Sequence, residues 1–361
     1  MRILITGCDG YIGYPLLVEL LETTDHKVIG IDNDGRNIMV EKCGGQRQHK
    51  IDYYLNKKHT FIDENLANRN FVYEILAIHK PNVIIHLASQ PSMPYSQING
   101  ERAIFTQDNN LSMLNNLLWG IKENDLKTKF IITTTTGIPG QAYKRVPEDV
   151  TPIVAGSWYH TSRGFDSANC SLASRQWGQE VIEFRTSIVY GLQTNIMRCH
   201  PMQLSTRFDT DSYFGTVLNR FIKQAIDNKP ITIYGKGQQT KPFISLQDTV
   251  ISLKNAIKHN FSTKHTILNQ TIDCISITNL AKMIKEITKC GITHIPNPRK
   301  EKETHKMVFD NKKFLQVLDK KPQDMKEEIG KMIDFLTDEE PGNGSGNILY
   351  ESPSGNQEII N

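Results

Sequence analysis

Up to about residue 190 the chain alternates between two apolar rhythms. The segments "RILIT" (2–6), "KVIGID" (27–32), "NVIIHLA" (82–88), "KFIITTT" (129–135) and "EVIEFRTSIVYG" (180–191) are nearly continuous apolar runs rich in β-branched residues. Such runs suit strands buried on both faces. Between them, "IGYPLLVELLE" (12–22), "NFVYEILAIHK" (70–80), "NLSMLNNLLWGIKE" (110–123) and "RGFDSANCSLASRQWG" (163–178) repeat their apolar residues at helical spacing. Strands alternating with helices imply right-handed crossovers and a parallel sheet covered on both sides. The pattern predicts an α/β protein with a doubly wound parallel sheet.

After Gly191 the rhythm breaks. "TNIMRCHPMQLSTRFDTDSYFGT" (194–216) reads as loop, "VLNRFIKQAI" (217–226) as a helix and "PITIYG" (230–235) as an isolated strand. "FISLQDTVISLKNAIKH" (243–259) returns to strand and helix, and "SITNLAKMIKEITK" (276–289) is an amphipathic helix. This organisation predicts a main domain from residues 1–192 and 244–270, with a smaller C-terminal substrate lobe from 193–243 and 271–335. Residues 336–361, rich in Gly, Ser, Asn and Pro, read as a flexible tail.

Composition narrows the class. A hydrophobic share of 38%, a charged share of 22% and a formal net charge of +3 describe an ordinary soluble protein and argue against a nucleic-acid partner. The six cysteines form no CxxC pair, so neither a disulfide framework nor a metal site is expected, and a reducing cytoplasm fits. "MRILITG" reads as a strand rather than a signal peptide, and no apolar run approaches the ~18 residues of a membrane span.

The chemistry starts at "TGCDGYIG", between the first strand and the first helix. Gly7, Gly10 and Gly13 let the backbone approach a pyrophosphate, which the N–H groups of the helix start then receive. Asp32 ends the second strand, where its carboxylate can accept both ribose hydroxyls of an adenosine and repel a 2′-phosphate. NAD is thus favoured over NADP, with Arg36 leaving NADP a minor alternative. Asp63 is either an adenine-edge contact or a solvated loop acid. His86, at the end of "NVIIH", reads as a packed core residue.

A second cluster lies further along. Thr133 to Thr136 close the strand "KFIITTT", and Tyr159 and Arg163 in "YHTSR" share a helix face. A tyrosine acts as a proton acceptor near neutral pH only with a fixed cation nearby. Arginine supplies that charge with a larger, planar group than lysine. Thr135 is the hydroxyl expected beside the Tyr159 phenol.

The chain resembles the extended short-chain dehydrogenase/reductases of the NAD-dependent epimerase/dehydratase family, and within them the UDP-sulfoquinovose synthase branch. The resemblance runs from residue 2 to about residue 335. It rests on "GCDGYIGY", "PYSQINGERAIFTQDNN", "YHTSRGFDSAN", "IVYGLQT", "FDTDSYFGTVLNRF", "ITIYGKGQQTKPFISLQDTV", "LNQ" and "IPNPRKEKETH". It implies a Rossmann fold, bound NAD, a nucleoside diphosphate sugar (a UDP-hexose), transient oxidation at sugar C4 and a homodimer. In the synthase, water is then eliminated across C5 and C6, sulfite adds at C6 and the hydride returns to C4. The resemblance makes Tyr159 the base, Thr135 its hydroxyl partner, His160 the residue beside the base and Arg163 the cation. It puts Gly7, Gly10, Tyr11, Ile12, Gly13, Asp32, Asn33, Asp63, Leu87, Ala88, Asn110, Tyr159 and Arg163 around the cofactor. Thr186, Thr216, Asn219, Gln239, Lys241 and Arg299 would face the sugar nucleotide, the two cations through charge-assisted bonds to its diphosphate.

Three departures matter. The branch's lysine is Arg163, its GEYG pattern is "GIPG" (137–140), and an arginine beside its sulfite pocket is Pro91. Neither Ile138 nor Pro139 can move a proton. A nucleotide-sugar 4-epimerase or dehydratase on the same scaffold, and a catalytically inactive NAD and sugar-nucleotide binding protein, therefore stand beside the synthase reading.

Overall fold

The computed structural model describes residues 1–48, 58–200, 204–297 and 306–338. The order along the chain begins β1 (Arg2–Thr6), α1 (Gly13–Thr23), β2 (Lys27–Asp32), α2 (Gly35–Lys42), β3 (His59–Asp63), α3 (Arg69–His79), β4 (Val83–His86) and α4 (Gly100–Glu123). It continues with β5 (Lys129–Thr135), α5 (Trp158–Trp177), β6 (Val181–Thr186), β7 (Ile188–Tyr190), α6 (Asn195–Cys199), α7 (Val217–Ile226), β8 (Ile231–Tyr234) and β9 (Thr240–Ser245). The rest is α8 (Leu246–Ala256), β10 (His265–Gln270), β11 (Asp273–Ser276), α9 (Ile277–Thr288), β12 (Ile292–Ile295), α10 (Lys312–Leu318) and α11 (Met325–Asp338).

Seven strands form one sheet in the order β10–β6–β5–β4–β1–β2–β3, and every pairing in it is parallel. This is the predicted doubly wound, Rossmann arrangement. Period-two alternation distributes the strand residues between two cores. Ile3, Ile5, Val83, Ile85, Ile182 and Phe184 pack with α1, α8 and α10 on one side. Leu4, Ile29, Ile84, Phe130 and Ile132 pack with α3, α4 and α5 on the other. The chain order reverses direction between β1 and β4, and the carboxyl ends of those strands open the crevice where doubly wound sheets take their ligands.

A third apolar cluster joins α7, β8, α9 and α11 through Phe221, Ile233, Leu280 and Ile329. Two small sheets accompany it: β11–β9–β7, and a parallel pair of β12 with β8. The "PITIYG" strand is therefore not isolated, because Ile231 to Tyr234 pair with Ile292 to Ile295. The apolar run 180–191 is two strands, not one. The chain leaves the main sheet at Ser187, whose N–H and hydroxyl both donate to the Gln270 carbonyl, and β7 joins β9. α4 begins at Gly100, well before its apolar pattern, because Asn99 caps it by accepting from the Arg102 N–H. β3 and α2 escape the sequence pattern, since "HTFID" is a half-exposed edge strand with mixed polarity. The segment 194–216 contains a short helix, α6. α11 runs to Asp338, into the span 336–361 that composition reads as a tail, and residues 339–361 lie outside the described range.

Among the described residues, Glu183 and Arg185 of β6 are both buried within the sheet. Glu183 of β6 is fully buried, accepts from the hydroxyls of Ser167 (2.8 Å) and Thr134 (2.7 Å), and lies 3.0 Å from His265 Nε2. Burial alone would raise its carboxyl, but the His265 bond, the Arg185 charge and the Thr134 bond pull it down to about 2. Its folded value is below its unfolded value, so it stabilises the fold above the unfolded range, near ~4.3, and that stability is lost as pH falls toward the folded value. Glu183→Gln should flatten the acid limb of stability between these limits and cost on the order of 3 kcal/mol at neutral pH. Urea unfolding across pH 2.5 to 7 checks this; an unchanged acid slope would show that the group is not held ionised.

Candidate active site

The crevice begins where β1 ends. Gly7 has φ +71°, and a Cβ there would lie 2.7 Å from the Ala88 nitrogen. A Cβ on Gly13 would fall 1.9 Å from the Gly7 carbonyl oxygen, so α1 can start this close to the strand only with glycine at both places. Tyr11 and Ile12 complete the turn, and the Tyr11 hydroxyl donates to the Gly191 carbonyl at 2.7 Å. Across the crevice, Ala88 N–H donates to Thr6 Oγ1 at 3.3 Å, and that hydroxyl also bonds His86 Nδ1 at 2.7 Å. His86 is fully buried, and burial with the Arg163 charge pushes its imidazole down to about 3. It is packed and hydrogen-bonded in the core, as its sequence context suggested. Leu87 and Ala88 line the opening half-exposed.

Asp32 stands at the end of β2 and receives the N–H groups of Asp9 (2.9 Å), Asn33 (2.8 Å) and Asp34 (3.1 Å). Burial raises its carboxyl, while these three donors pull it back. Asn33 and Asp63 are exposed, and Asp63 is the register partner of Asp32 on β3. Asn110 is fully buried on α4, where its side-chain oxygen accepts from Gln90 N–H (2.8 Å) and its NH₂ reaches Ser162 Oγ (3.1 Å). It ties the loop after β4 to the helix that carries Tyr159. The glycines, the helix start and the strand-end acid together form a cradle that fits a dinucleotide: space at the turn where any side chain would intrude, and donors facing a diphosphate.

The second cluster lies at the neighbouring strand ends. Ser157 caps α5 by accepting from the His160 N–H, and the cap starts the helix at Trp158. Tyr159 therefore lies in the first turn of α5, where the positive end of the helix dipole favours a phenolate. Its backbone N–H donates to Ser96 Oγ at 3.2 Å. Thr135 neighbours the phenol, its Oγ1 accepts from Gly137 N–H at 3.2 Å, and it is in register with Thr186 on β6. Burial raises the phenol above its ordinary value; Arg163 lowers it, Asp166 raises it and the Thr135 side chain lowers it. His160 Nδ1 lies 2.9 Å from Ser157 Oγ, and its ring covers Gly137, where a Cβ would come within 2.6 Å of Nε2.

Arg163 is only 2% exposed. Its Nη1 lies 2.7 Å from Asp166 on the next helical turn, and its Nη2 donates to the Thr133 carbonyl. Asp166 is completely buried, and burial pushes its carboxyl up toward about 7 against the pull of Arg163. Sequence reading named Arg163 but not Asp166, although an i,i+3 acid on one helix face is the signal that finds it. In the "GIPG" turn, Ile138 and Pro139 are both buried, and the Ile138 carbonyl accepts from Val154 N–H at 3.0 Å. Pro91 is exposed.

The remaining candidates are spread more widely. Thr186 Oγ1 donates to Gln270 Oε1 at 2.8 Å. Thr216 caps α7 by accepting from Asn219 N–H, and the Asn219 side chain donates to the Asp209 carbonyl at 3.0 Å. Gln239 is buried with its Oε1 lacking a hydrogen-bond partner among the described residues, and Lys241 lies on β9. Arg299 lies outside the described residues.

Among the described residues no group of His, Cys, Asp and Glu could hold a metal ion, and no helix is long and apolar enough to cross a membrane. Residues 3–269 match the NAD dependent epimerase/dehydratase family. The chain is 31% identical to UDP-sulfoquinovose synthase of Sulfolobus acidocaldarius over 84% of each chain. It is 30% identical to the chloroplastic UDP-sulfoquinovose synthase of Spinacia oleracea over 84% of this chain and 69% of the relative. Its fold matches the crystal structure of Thermotoga maritima UDP-glucose 4-epimerase with a TM-score of 0.76 at 21% identity, covering 94% of this chain and 99% of that one. Bacillus cereus UDP-glucuronic acid 4-epimerase, solved with UDP-glucuronic acid and NAD, gives 0.73 at 23% identity with the same coverage. Glycine cradle, strand-end acid and tyrosine helix thus stand within the matched segment, and the chain belongs to the NAD-dependent epimerase/dehydratase family, with NAD as its cofactor.

Proposed function

We propose that this protein transiently oxidises C4 of a nucleoside diphosphate hexose, a UDP-hexose in the manner of its UDP-sulfoquinovose synthase relatives. The placement of Tyr159 in the first turn of α5, with Arg163 on the same helix and Thr135 at the end of β5 as its neighbours, carries the reading, because it sets a proton acceptor beside a cation and a hydroxyl that can hold the sugar oxygen. Gly7, Gly10, Tyr11, Ile12, Gly13, Leu87, Ala88 and Asn110 would hold NAD, with Asp32 and Asn33 on the adenosine ribose and Asp63 at its edge. Bound NAD supplies a hydride acceptor at C4. Tyr159 removes the C4 hydroxyl proton, Thr135 orients that oxygen, and Arg163 with the start of α5 favours the ionised phenol. His160 borders the site, and Thr186, Thr216, Asn219, Gln239, Lys241 and Arg299 would hold the sugar nucleotide. In this reading residues 1–192 and 244–270 form the NAD domain, and 193–243 with 271–335 the sugar-nucleotide lobe.

The fate of the oxidised sugar is decided at "GIPG". Elimination across C5 and C6 needs a proton-moving group there, and buried Ile138 and Pro139 offer none. This favours 4-epimerisation, which needs only the ketosugar to turn over, as the second reading; sulfite addition belongs to the first. We also infer a homodimer. α4 and α5 pack together and leave the large apolar side chains of Phe105, Trp119, Trp158, Phe165 and Leu172 exposed, as an interaction surface would. Six unpaired cysteines fit a cytoplasmic location.

Product analysis separates the readings. Incubation with UDP-glucose should give reduced cofactor absorbance and a C4 epimer without sulfite, or a sulfonated sugar with it; neither reduction nor product would leave only a binding protein. Tyr159→Phe keeps the ring packing and should lower turnover at least a hundredfold while NAD stays bound. Turnover within threefold of wild type would remove Tyr159 from the chemistry.

The pH profile tests Arg163. The acceptor phenol must be ionised, so the rate should rise with pH along the limb that Tyr159 titrates. Removing Arg163 alone leaves the buried Asp166 carboxyl without its partner, so Arg163→Met/Asp166→Asn is the cleaner variant. Arg163 lowers the phenol more than Asp166 raises it, so the limb should move to higher pH. An unmoved limb would show that this arginine does not tune the tyrosine.

A further inference from the structure

The turn after β2 governs which dinucleotide the protein takes, and Asp32 is not its only charged neighbour. Arg36 stands in the first turn of α2. A guanidinium in such a place ordinarily meets a phosphate on the adenosine 2′-oxygen. Here it is already engaged. Its Nη2 lies 2.7 Å from Asp209 Oδ2, and its plane lies over the Phe214 ring, 4.1 Å from the centroid.

Asp209 belongs to the loop before α7, far from Arg36 in sequence, and its side chain is 5% exposed. Arg207 also holds it, through Nε at 2.9 Å and Nη2 at 3.1 Å, and Gln48 Nε2 donates to it at 3.2 Å. The loop is fixed from both ends. Gln48 accepts from Phe208 N–H, Asp211 accepts from the N–H groups of Tyr213 and Phe214, and Thr206 donates to the Tyr11 carbonyl. Phe214 packs with Met39, Val40 and Tyr95 in a small apolar cluster of its own. Drawing Arg36 out would uncover that ring and strip a buried carboxylate of one of its two cations. Arg47, the other guanidinium at this turn, is paired with Asp34 and Glu41.

We propose that Asp209 is a second determinant of cofactor choice: by holding Arg36 away from the adenosine ribose, it leaves a 2′-phosphate facing Asp32 with no cation to receive it. The proposal rests on the reading that Asp32 meets that ribose. It makes a residue of the substrate-side loop part of the discrimination between NAD and NADP.

Calorimetric titration of the full-length protein with NAD and with NADP tests it. Asp209→Ala should release Arg36 and improve NADP relative to NAD by about tenfold, the worth of one charge-assisted contact. Adding Arg36→Gln should abolish that gain, whereas Arg36→Gln alone should leave the wild-type ratio unchanged. Because Asp209→Ala strands Arg207 and could loosen the loop, Asp209→Asn keeps the shape, and its melting temperature is compared with wild type. An unchanged ratio in a normally folded Asp209→Asn overturns the proposal, as does a tenfold loss of NADP binding in Arg36→Gln alone. Asp32→Asn is the control. If it also leaves the ratio unchanged, the adenosine does not meet Asp32 and the underlying placement fails; if it relaxes the ratio while the Asp209 variants do not, only the role of Asp209 fails.

Discussion

Everything at the crevice depends on how closely α1 approaches the end of β1. The Gly7 carbonyl occupies the space a Cβ on Gly13 would need, and Gly7 itself adopts a conformation that other residues resist. That contact sets the helix start against the point where strand order reverses, so its free N–H groups face the opening. Without it, Asp32 on one flank and Ala88 on the other would border a wider gap. The cofactor end is therefore a property of backbone geometry, and its side chains refine it.

The chemical end is organised differently, around buried charge. Arg163 lies under the ends of β4 and β5, where Asp166 and the Thr133 carbonyl share its donors. A lysine has one compact charge and could not serve two fixed acceptors in plane, whereas a guanidinium can. The arginine is accordingly accompanied by its own counter-ion, and what reaches Tyr159 is the field of the pair. An ion pair buried this completely is a weak source of stability, since desolvation offsets attraction. Its consequence is orientation: it fixes α5, and with it the phenol, against the threonine strand.

Local signals were legible in the sequence, and long-range ones were not. Gly7, Gly10, Gly13 and Asp32 could be read because a strand, a turn and a helix start lie within one short stretch. The sheet could be read because its central strands are buried on both faces. The edge strand β3 could not, because only one side of "HTFID" needs to be apolar. The break at Ser187 was also hidden, since a single residue separates β6 from β7 and only the Gln270 carbonyl shows where the chain turns away. The Arg36–Asp209 pair joins residues distant in sequence, and no periodicity announces such a contact.

That pair also changes how the loop before α7 should be understood. Composition makes 207–214 look like ordinary surface loop, with acids, an arginine and aromatics in no evident order. In the fold, each has a fixed partner: Asp209 between Arg36 and Arg207, Asp211 on the N–H groups of its own turn, Phe214 beneath a guanidinium. The Asp209 carbonyl then receives the side chain of Asn219, in the first turn of α7. The carboxylate and the carbonyl of this one residue thus touch both the turn after β2 and the helix of the C-terminal cluster. A loop tied at two such places transmits position from one to the other without needing to move, because any displacement would strand a buried charge.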